Sequence, residues 1–228
     1  MEYGQFCPIA KASEIIGEKW TVLILREILM GSRRFSELQR GLGTISPTLL
    51  SRRLQHLEKN SMIFRKTATG QRGHEYHPTE SCKELLPVLL SLGDWGMRWA
   101  RSNLQRHDYD VELLMLYLQR SVVLEKLPQG ETIIRFKFTD MTEKADWWII
   151  ARGDEVETCD KDPGKDVDIY LTTTVATMAD LWMGKETWRM ARRDGRMSVI
   201  GNRYLTENVT VWMESSIFTE LPSAENIL

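Results

Sequence analysis

A Ser–Pro pair at residues 46 and 47 begins an amphipathic segment that continues to about Asn60. Ser is a favoured N-cap and Pro suits the first helical position, so the pair predicts where a helix starts. Leucines at 50, 54 and 57 recur at the spacing of one helical face. The opposite face carries Thr48, Ser51, Arg52, Gln55 and Lys59. The segment therefore predicts a helix with a buried leucine stripe and a polar outer face.

Three further helices are predicted before this one. They cover Pro8–Ile16, Trp20–Met30 and Phe35–Leu42. The second is apolar on most faces, which places it centrally in a core. Gly41 and Gly43 open a turn after the third. A short helix, a glycine-containing turn and a helix with a polar outer face form the helix-turn-helix pattern.

A hairpin follows the polar helix. Alternating residues predict strands at Met62–Thr67 and His74–His77, and the turn between them carries Arg72. A hairpin that directly follows a recognition helix is a wing, so the first half is predicted to be a winged helix. A long helix that begins after Thr79 exposes more apolar surface than one helix can bury alone, which predicts a dimerisation element.

The linked motifs of this half resemble a known family, the HxlR-type winged-helix regulators of bacteria, over residues 6–100. The motifs are Cys7–Pro8–Ile9–Ala10, the run from Ile15 to Arg26, Arg34–Phe35–Ser36–Glu37–Leu38 and Ile45–Ser46–Pro47 with Leu50, Arg53 and Leu54. The resemblance implies a homodimeric DNA-binding transcription factor. It also implies that the N-terminal and long C-terminal helices make the dimer, and several family members sense reactive small molecules.

Double-stranded DNA with a palindromic operator is the expected partner. Winged helices insert the recognition helix into the major groove and lay the wing on the backbone or minor groove. The candidates for reading base edges are Ser46, Thr48, Ser51, Arg52 and Gln55. The candidates for phosphate contacts are Arg33, Arg34, Arg53, Lys66 and Arg72. A solvated helix face is the alternative for these residues, and a structural role is the alternative for Arg53. Lys59, Arg98 and Arg101 are interpreted as surface charges.

The charge distribution divides the chain. Residues 1–107 hold 16 Lys and Arg against 10 Asp and Glu, a net charge of +6, whereas residues 108–228 hold 14 against 22, a net of −8. The basic part suits nucleic acid and the acidic part does not. We therefore expect a DNA-binding and dimerisation domain over 1–107 and a second domain over 108–228, an α+β chain overall.

The second part alternates strands and helices. Strands are predicted at Thr132–Phe138, Trp147–Ala151, Val156–Cys159, Val167–Thr172 and Met197–Ile200, and helices at Val111–Leu124, from Val175 to Gly184, at Thr187–Arg193 and at Leu205–Met213. The segments Asp168–Thr172, Met178–Gly184 and Ala191–Gly201 resemble the sterol-carrier-protein-2-like α/β fold over residues 111–215. That resemblance implies an apolar tunnel for a lipid or another hydrophobic molecule.

Large and flexible apolar side chains are concentrated in this part, where they suit an adaptable cavity. The candidate lining residues are Trp147, Trp148, Met178, Trp182, Trp188 and Trp212. Trp147 and Trp148 adjoin in a strand and face opposite sides, so one of them at most can line a pocket. An ordinary hydrophobic core is the alternative for each residue.

Three widely spaced cysteines favour free thiols in a reducing cytoplasm. Helix N-termini in general lower the pKa of a thiol, and Cys7 directly precedes the first helix, a position that favours a redox sensor. The alternative is an inert, partly buried residue, and Cys82 and Cys159 are interpreted as inert. The functions to compare are therefore a regulator controlled by a hydrophobic ligand, and a thiol-responsive regulator whose second domain dimerises or docks a partner.

An enzyme or lipid carrier with a borrowed winged helix is the third hypothesis. The sequence has no G-x-S-x-G, P-loop, G-x-G-x-x-G or zinc-ligand pattern, so neither catalysis nor a cofactor is expected. His74 and His77 face opposite sides of a strand, which disfavours a metal site with Cys82. No apolar run reaches the length of a membrane span and no secretory signal is visible, so a cytoplasmic protein without a membrane partner is expected.

Overall fold

A computed structural model describes residues 2–67, 73–100 and 108–219. The chain divides into two compact units, Met1–Trp95 and Gly96–Leu228. The predicted boundary after His107 lies outside the described residues and stays a prediction. Among the residues that are described, no helix is long and apolar enough to cross a bilayer.

The first unit contains the predicted helices and hairpin. Its elements are α1 (Pro8–Ile16), α2 (Thr21–Leu29), α3 (Phe35–Leu42), α4 (Pro47–Lys59), β1 (Ile63–Thr67), β2 (His74–Pro78), α5 (Glu80–Lys83) and α6 (Leu86–Trp99). The first four helices are confirmed to within one residue at each end. Strands β1 and β2 pair antiparallel, with Ile63 opposite Pro78. The unit is a winged helix-turn-helix.

The helix predicted after Thr79 is interrupted, which corrects the sequence-based expectation of one long helix. Thr79 does cap its first turn, because its side chain accepts a hydrogen bond from the Cys82 amide at 3.4 Å. The helix ends at Lys83 and resumes at Leu86. Pro87 explains the break, since a proline has no N–H to donate, and its ring clashes with the carbonyl four residues earlier.

The core of the first unit is built around α2, as its apolar sequence predicts. Ile24, Leu25 and Ile28 are completely buried there. The leucine stripe of α4 packs into the same cluster together with Leu38 of α3. This packing determines which side of α4 faces outward.

A buried carboxylate joins α2 to α3. Glu27 has no exposed surface, and its Oε1 accepts a hydrogen bond from Arg26 Nε at 3.0 Å. Its Oε2 accepts another from the Ser32 hydroxyl at 3.2 Å. Arg26 Nη2 also donates to the Gly41 carbonyl at 3.0 Å, near the end of α3. The network holds α3 against α2 and thereby sets the start of the turn that leads into α4.

The second unit is a five-stranded sheet with helices. Its elements are α7 (Val111–Arg120), β3 (Glu131–Phe138), β4 (Asp146–Arg152), β5 (Glu155–Cys159), β6 (Ile169–Thr173), α8 (Val175–Trp182), α9 (Trp188–Arg193), β7 (Ser198–Gly201), α10 (Arg203–Glu207) and α11 (Val209–Trp212). The strand order is β5-β4-β3-β6-β7. Strands β3 and β6 are parallel, and every other neighbouring pair is antiparallel.

One sheet face carries the core of this unit. Ile134, Phe136 and Phe138 of β3 alternate inward and pack with residues of α7 and α8.

Two predicted helices are shorter than expected. The one from Val111 ends at Arg120, before two β-branched valines, and the one predicted at Leu205–Met213 is divided at Asn208 into α10 and α11.

The other sheet face carries a row of aromatic and cationic side chains. Trp148, Arg135 and Tyr170 are neighbours across β4, β3 and β6. The guanidinium carbon of Arg135 lies 5.4 Å from the Trp148 ring centroid and 5.9 Å from that of Tyr170. Trp147 packs into the core on the opposite face, so the prediction that the adjoining tryptophans face apart is confirmed.

Candidate nucleic-acid interface

The outer surface of α4 carries one row of exposed polar side chains. Thr48, Arg52, Gln55 and Lys59 are all exposed, and they recur at intervals of four, three and four residues. At 100° per residue these positions fall within an arc of about 60°. None of the four makes a side-chain hydrogen bond or ion pair with a residue that the structure describes. Their donors and acceptors are therefore available to a ligand.

The N-terminus of α4 is held by the residues that predicted it. The Ser46 hydroxyl accepts a hydrogen bond from the Leu49 amide at 3.3 Å, and Pro47 occupies the first helical turn. Ser46 is exposed, whereas Ser51 is half-buried at the edge of the polar row. Ser46 thus has a structural use in addition to its predicted contact with DNA.

Arg53 points away from the polar row. Its Nε donates to the Lys19 carbonyl at 3.1 Å, and its guanidinium forms an ion pair with Glu18. Only 13% of its side chain is exposed. Arg53 fastens α4 to the segment before α2, in agreement with the structural alternative, and its contact with phosphate stays a prediction.

The two arginines that precede α3 also have partners within the protein. Arg33 Nη1 donates to the carbonyls of Ile28 at 2.6 Å and Ser32 at 3.2 Å. Arg34 Nη2 lies 3.8 Å from Oε1 of Glu75, which is the second residue of β2. The Arg34 side chain is 30% exposed, and Arg33 is half-buried. Both side chains connect the start of α3 to neighbouring residues.

The wing presents a cation beside an aromatic cluster. Lys66 is exposed on β1, with its Nζ 5.4 Å from the Phe64 ring centroid. The Phe64 ring stacks on His77 at 5.6 Å between centroids. Arg65 donates to Glu58 at 2.9 Å, and this hydrogen bond raises the pKa of the guanidinium. Arg72 lies outside the described residues, so its place at the tip stays a prediction.

Ion pairing leaves a positive surface on this side of the unit. The carboxylates of Glu18, Glu58 and Glu75 each face an arginine. Arg52 and Lys59 have no such neighbour among the described residues. Lys59, interpreted from the sequence as a surface charge, is exposed and lies in the same row as Gln55 and Thr48.

The predicted ligand residues of the second unit occupy different environments. Met178 and Trp212 are fully buried in the core, where the Trp212 indole donates to the Leu205 carbonyl at 2.9 Å. The Trp182 ring stacks on Tyr117 at 4.8 Å between centroids. Trp147 is also a core residue. These contacts fit the alternative of an ordinary core, and a ligand role for each residue stays a prediction.

Trp188 borders an open cleft. The cleft has a volume of about 310 Å³ and is lined by Trp188, Arg189, Arg192, Thr206, Glu207, Val209 and Thr210. A second cleft, of about 250 Å³, lies between the loop that precedes β3 and the turn between β4 and β5, and none of the six predicted residues lines it. The structure therefore brings Trp188 to a surface where a small molecule could bind.

The cysteines differ in accessibility. Cys7 is half-buried at the N-cap of α1, and Cys159 is half-buried at the end of β5. Cys82 is completely buried, and burial raises the pKa of its thiol to about 11. All three are free thiols. The interpretation of Cys82 as inert agrees with this environment, and sensing by Cys7 stays a prediction.

The surroundings of His77 bear on the metal site that was considered for His74, His77 and Cys82. His77 Nε2 lies 3.2 Å from Glu75 Oε2 and its ring stacks on Phe64. Within the described ranges, no three His, Cys, Asp or Glu residues converge as metal ligands would.

Known proteins resemble the first unit. The family model described as HxlR-like helix-turn-helix matches residues 15–104. The uncharacterized HTH-type transcriptional regulator YvaP of Bacillus subtilis is 34% identical over 101 residues, which are 43% of this chain and 94% of YvaP. The uncharacterized HTH-type transcriptional regulator Rv3095 of Mycobacterium tuberculosis is 39% identical over 88 residues, 39% of this chain.

The chain spans 56% of the length of the mycobacterial relative. Among solved structures, the putative transcription factor PA1607 matches with 31% identity and a TM-score of 0.39, covering 41% of this chain and 65% of that one. The residues matched by the family model include the helix-turn-helix and the two strands of the wing described above, and the chain covers nearly the whole of YvaP. The chain belongs to the HxlR-like helix-turn-helix family.

Proposed function

We propose that this protein is a homodimeric transcriptional regulator that binds a palindromic operator through α4 and the wing. Its second unit holds a small molecule that changes the affinity for DNA. The observation that carries the proposal is the row of polar side chains on α4 that have no partner among the described residues, in the position of a recognition helix. The helix-turn-helix names of the relatives agree with it.

The chemistry of the row suits base recognition. An arginine pairs with guanine through two hydrogen bonds, and a glutamine pairs with adenine in the same manner. Arg52 and Gln55 lie one turn apart on the exposed face, so both can enter one major groove. Lys59 and Lys66 supply positive charge for phosphates on either side.

Apolar side chains on α6 support the homodimer. Val88, Leu92, Trp95 and Trp99 are exposed and recur at intervals of four, three and four residues, which places them on one stripe. None of the residues of α1 or α6 is buried in the isolated chain. Phe6 and Ile9 are exposed as well. A second copy of the chain would cover these surfaces, as the family resemblance implies.

The second unit supports the role of a ligand domain. Its five-stranded sheet has one face packed with helices, and its sequence resembles sterol-carrier-protein-2-like domains. The unit also has the cleft beside Trp188. A ligand changes operator affinity only when it binds the DNA-competent and DNA-incompetent states with different affinities. The absence of a nucleotide-binding or hydrolase motif in the sequence favours a regulator over an enzyme.

Selection from random double-stranded DNA tests the proposal. The purified full chain would be incubated with the pool, and bound DNA would be amplified and sequenced over several rounds. We expect an inverted repeat whose half-site centres lie about one helical turn apart, roughly 10 base pairs, or a multiple of it. Binding to the selected site should weaken as salt rises, because phosphate contacts release counterions.

An unenriched pool, or binding that does not distinguish the selected site from a shuffled one, would contradict the proposal. The matched control is a variant with Thr48, Arg52 and Gln55 changed to Ala, which keeps the leucine stripe. This variant should fold normally and should lose the preference for the selected site.

A further inference from the structure

The cleft beside Trp188 also has charged residues in its lining. One wall is α9, which contributes Trp188, Arg189 and Arg192, and the other wall comes from α10 and α11. Positions 188, 189 and 192 fall within about 100° of the helix circumference, so the indole and both guanidinium groups lie on the same side of α9. The cleft therefore combines an aromatic surface with two positive charges.

The two arginines are held differently. Arg192 Nη1 donates to the Thr206 carbonyl at 3.1 Å, which fixes this guanidinium against the α10 wall. Arg189 is exposed and makes no side-chain hydrogen bond or ion pair with any residue that the structure describes. One cation is thus oriented in advance and the other is free to approach a ligand.

Nearby carboxylates are engaged elsewhere. Glu207 is the acidic residue of the lining, and its Oε1 accepts a hydrogen bond from Arg203 Nε at 2.9 Å. Asp194 accepts a hydrogen bond from Arg193 Nε at 2.8 Å. Arg196 takes Glu186 as its partner. Within the described part of the chain, neither Arg189 nor Arg192 forms an ion pair, and the one carboxylate of the lining, Glu207, is paired with Arg203.

This local charge is opposite to that of the surrounding sequence. Residues 108–228 have a net charge of −8, yet the lining of the cleft holds two arginines against one glutamate. Two like charges three residues apart on a helix repel each other. An anion bound between them would remove this repulsion and would form charge-assisted hydrogen bonds with both.

The apolar part of the lining limits the shape of the anion. The half-buried Trp188 offers a flat indole ring, and Val209 is a buried aliphatic residue of the same lining. A volume of about 310 Å³ is at the lower end of the range for small-molecule sites. Flat rings stack on indole, and a carboxylate matches the planar fork of a guanidinium.

We propose that this cleft binds a small planar aromatic carboxylate, with its ring on Trp188 and its carboxylate between Arg189 and Arg192. The inference deepens the proposed function, because it names the class of the molecule that the second unit would hold, and it rests on that unit having a ligand. It differs from a purely hydrophobic ligand, which would leave both guanidinium groups unused.

Calorimetric titration of the full chain with 1-naphthoate tests the inference, and 1-naphthamide serves as the neutral analogue of nearly the same shape. We expect 1-naphthoate to bind with one site per chain and 1-naphthamide to bind at least tenfold more weakly. Arg189→Gln and Arg192→Gln should each weaken binding of 1-naphthoate about 5- to 20-fold, because each removes one charge-assisted hydrogen bond.

Arg193→Gln is the matched control, since Arg193 is on the same helix and pairs with Asp194 outside the cleft. It should leave the affinity for 1-naphthoate unchanged. Trp188→Phe keeps a flat ring and should weaken binding less than Trp188→Leu. Equal binding of the acid and the amide, or equal loss in Arg189→Gln and Arg193→Gln, would overturn the inference.

The titration contains no DNA, so its result is separate from the selection experiment. If 1-naphthoate fails to bind while the chain selects an inverted repeat, the ligand class is wrong and the DNA-binding proposal stands. If 1-naphthoate binds with the expected pattern while no DNA is selected, the assignment of the cleft as a carboxylate site stands and the regulator proposal is wrong.

Discussion

Two arginines that adjoin in the sequence have different surroundings. Arg52 is exposed in the polar row of α4, whereas Arg53 is bound to the Lys19 carbonyl and to Glu18. The helix rotates by about 100° between them, and this rotation moves one side chain from the outer surface to the flank. Residue type alone therefore does not distinguish an arginine exposed on a helix from one that bonds to a neighbouring segment.

Substitution of Arg52 should change the affinity for DNA, whereas substitution of Arg53 should change the stability of the fold. Arg52→Ala should weaken binding to the selected operator by about 1–3 kcal/mol and relax specificity at one base pair, because a bidentate contact with a base is lost. Its thermal midpoint should stay unchanged. Arg53→Ala should instead lower the free energy of unfolding by about 1–3 kcal/mol, since charged hydrogen bonds are removed.

Fluorescence anisotropy with labelled operator and circular dichroism melts measure the two effects. Lys66→Ala extends the comparison, because a phosphate contact should weaken binding to all sequences alike and reduce the salt slope by about one. Equal stability losses in Arg52→Ala and Arg53→Ala would show that the assignment is wrong.

The three thiols should react in an order set by burial. With a thiol reagent at pH 7.5, Cys7 and Cys159 should be modified in the folded protein, and Cys82 only after denaturation. Cys82 is completely buried, and the pKa of about 11 leaves very little thiolate at that pH. Mass spectrometry of the labelled peptides identifies each site. Early labelling of Cys82 would contradict its assigned environment.

The same raised pKa couples stability to pH. In the unfolded chain the Cys82 thiol returns to its ordinary pKa of 9.0 and ionises first. The neutral buried thiol therefore contributes stability that is fully present below pH 9 and is lost as the pH rises through 11. Replacing Cys82 with Ala should reduce this slope in urea melts between pH 8 and 10.

At the scale of elements, the contact between α2 and α3 depends on a glycine. A Cβ built on Gly41 would lie 2.5 Å from Cδ of Glu27. The Glu27 carboxylate cannot move aside readily, since it is buried and held by Arg26 and Ser32. Gly41 is thus required by the close approach of two helices.

Gly41→Ala should lower the free energy of unfolding by about 1–3 kcal/mol, the usual cost of overpacking a core. Gly96→Ala is the matched control, because Gly96 is also helical and a Cβ there meets nothing within 4 Å. That change should be neutral or stabilising by up to about 1 kcal/mol. Denaturant melts compare the two, and equal effects would contradict the role assigned to the Glu27 contact.

Element boundaries followed local chemistry where a cap or a proline stood. Ser46 and Pro47 predicted the start of α4 correctly, because both act within one helical turn. The break before Leu86 was missed although Pro87 was visible, since the apolar pattern continues across it. The division at Asn208 has a similar origin, because a periodic pattern does not require an unbroken backbone.

At the scale of the whole molecule, the apolar stripe of α6 should hold two copies together. We expect light scattering after gel filtration to give twice the chain mass of 26.5 kDa. Leu92→Glu combined with Trp95→Glu should yield monomers and weaken operator binding, because two half-sites would no longer be bound by one particle. Both positions are exposed in the single chain, at 51% and 59%, so the fold should persist.

Val211→Glu is the control for this experiment, since Val211 is an exposed apolar residue of the second unit. It should leave the dimer intact. A wild-type protein that runs as a monomer, or a double variant that stays dimeric, would contradict the assignment of the stripe to self-association.

Local sequence patterns predict the winged helix-turn-helix, the leucine stripe of α4 and the strands of the second unit. These features depend on periodicity, caps and turns within about a dozen neighbouring residues. Only the folded chain shows which arginines have partners, which tryptophans belong to the core and that two arginines line the cleft beside Trp188. Those properties come from residues far apart in the chain, such as Arg53 with Glu18 and Arg192 with Thr206, and local patterns do not encode such distances.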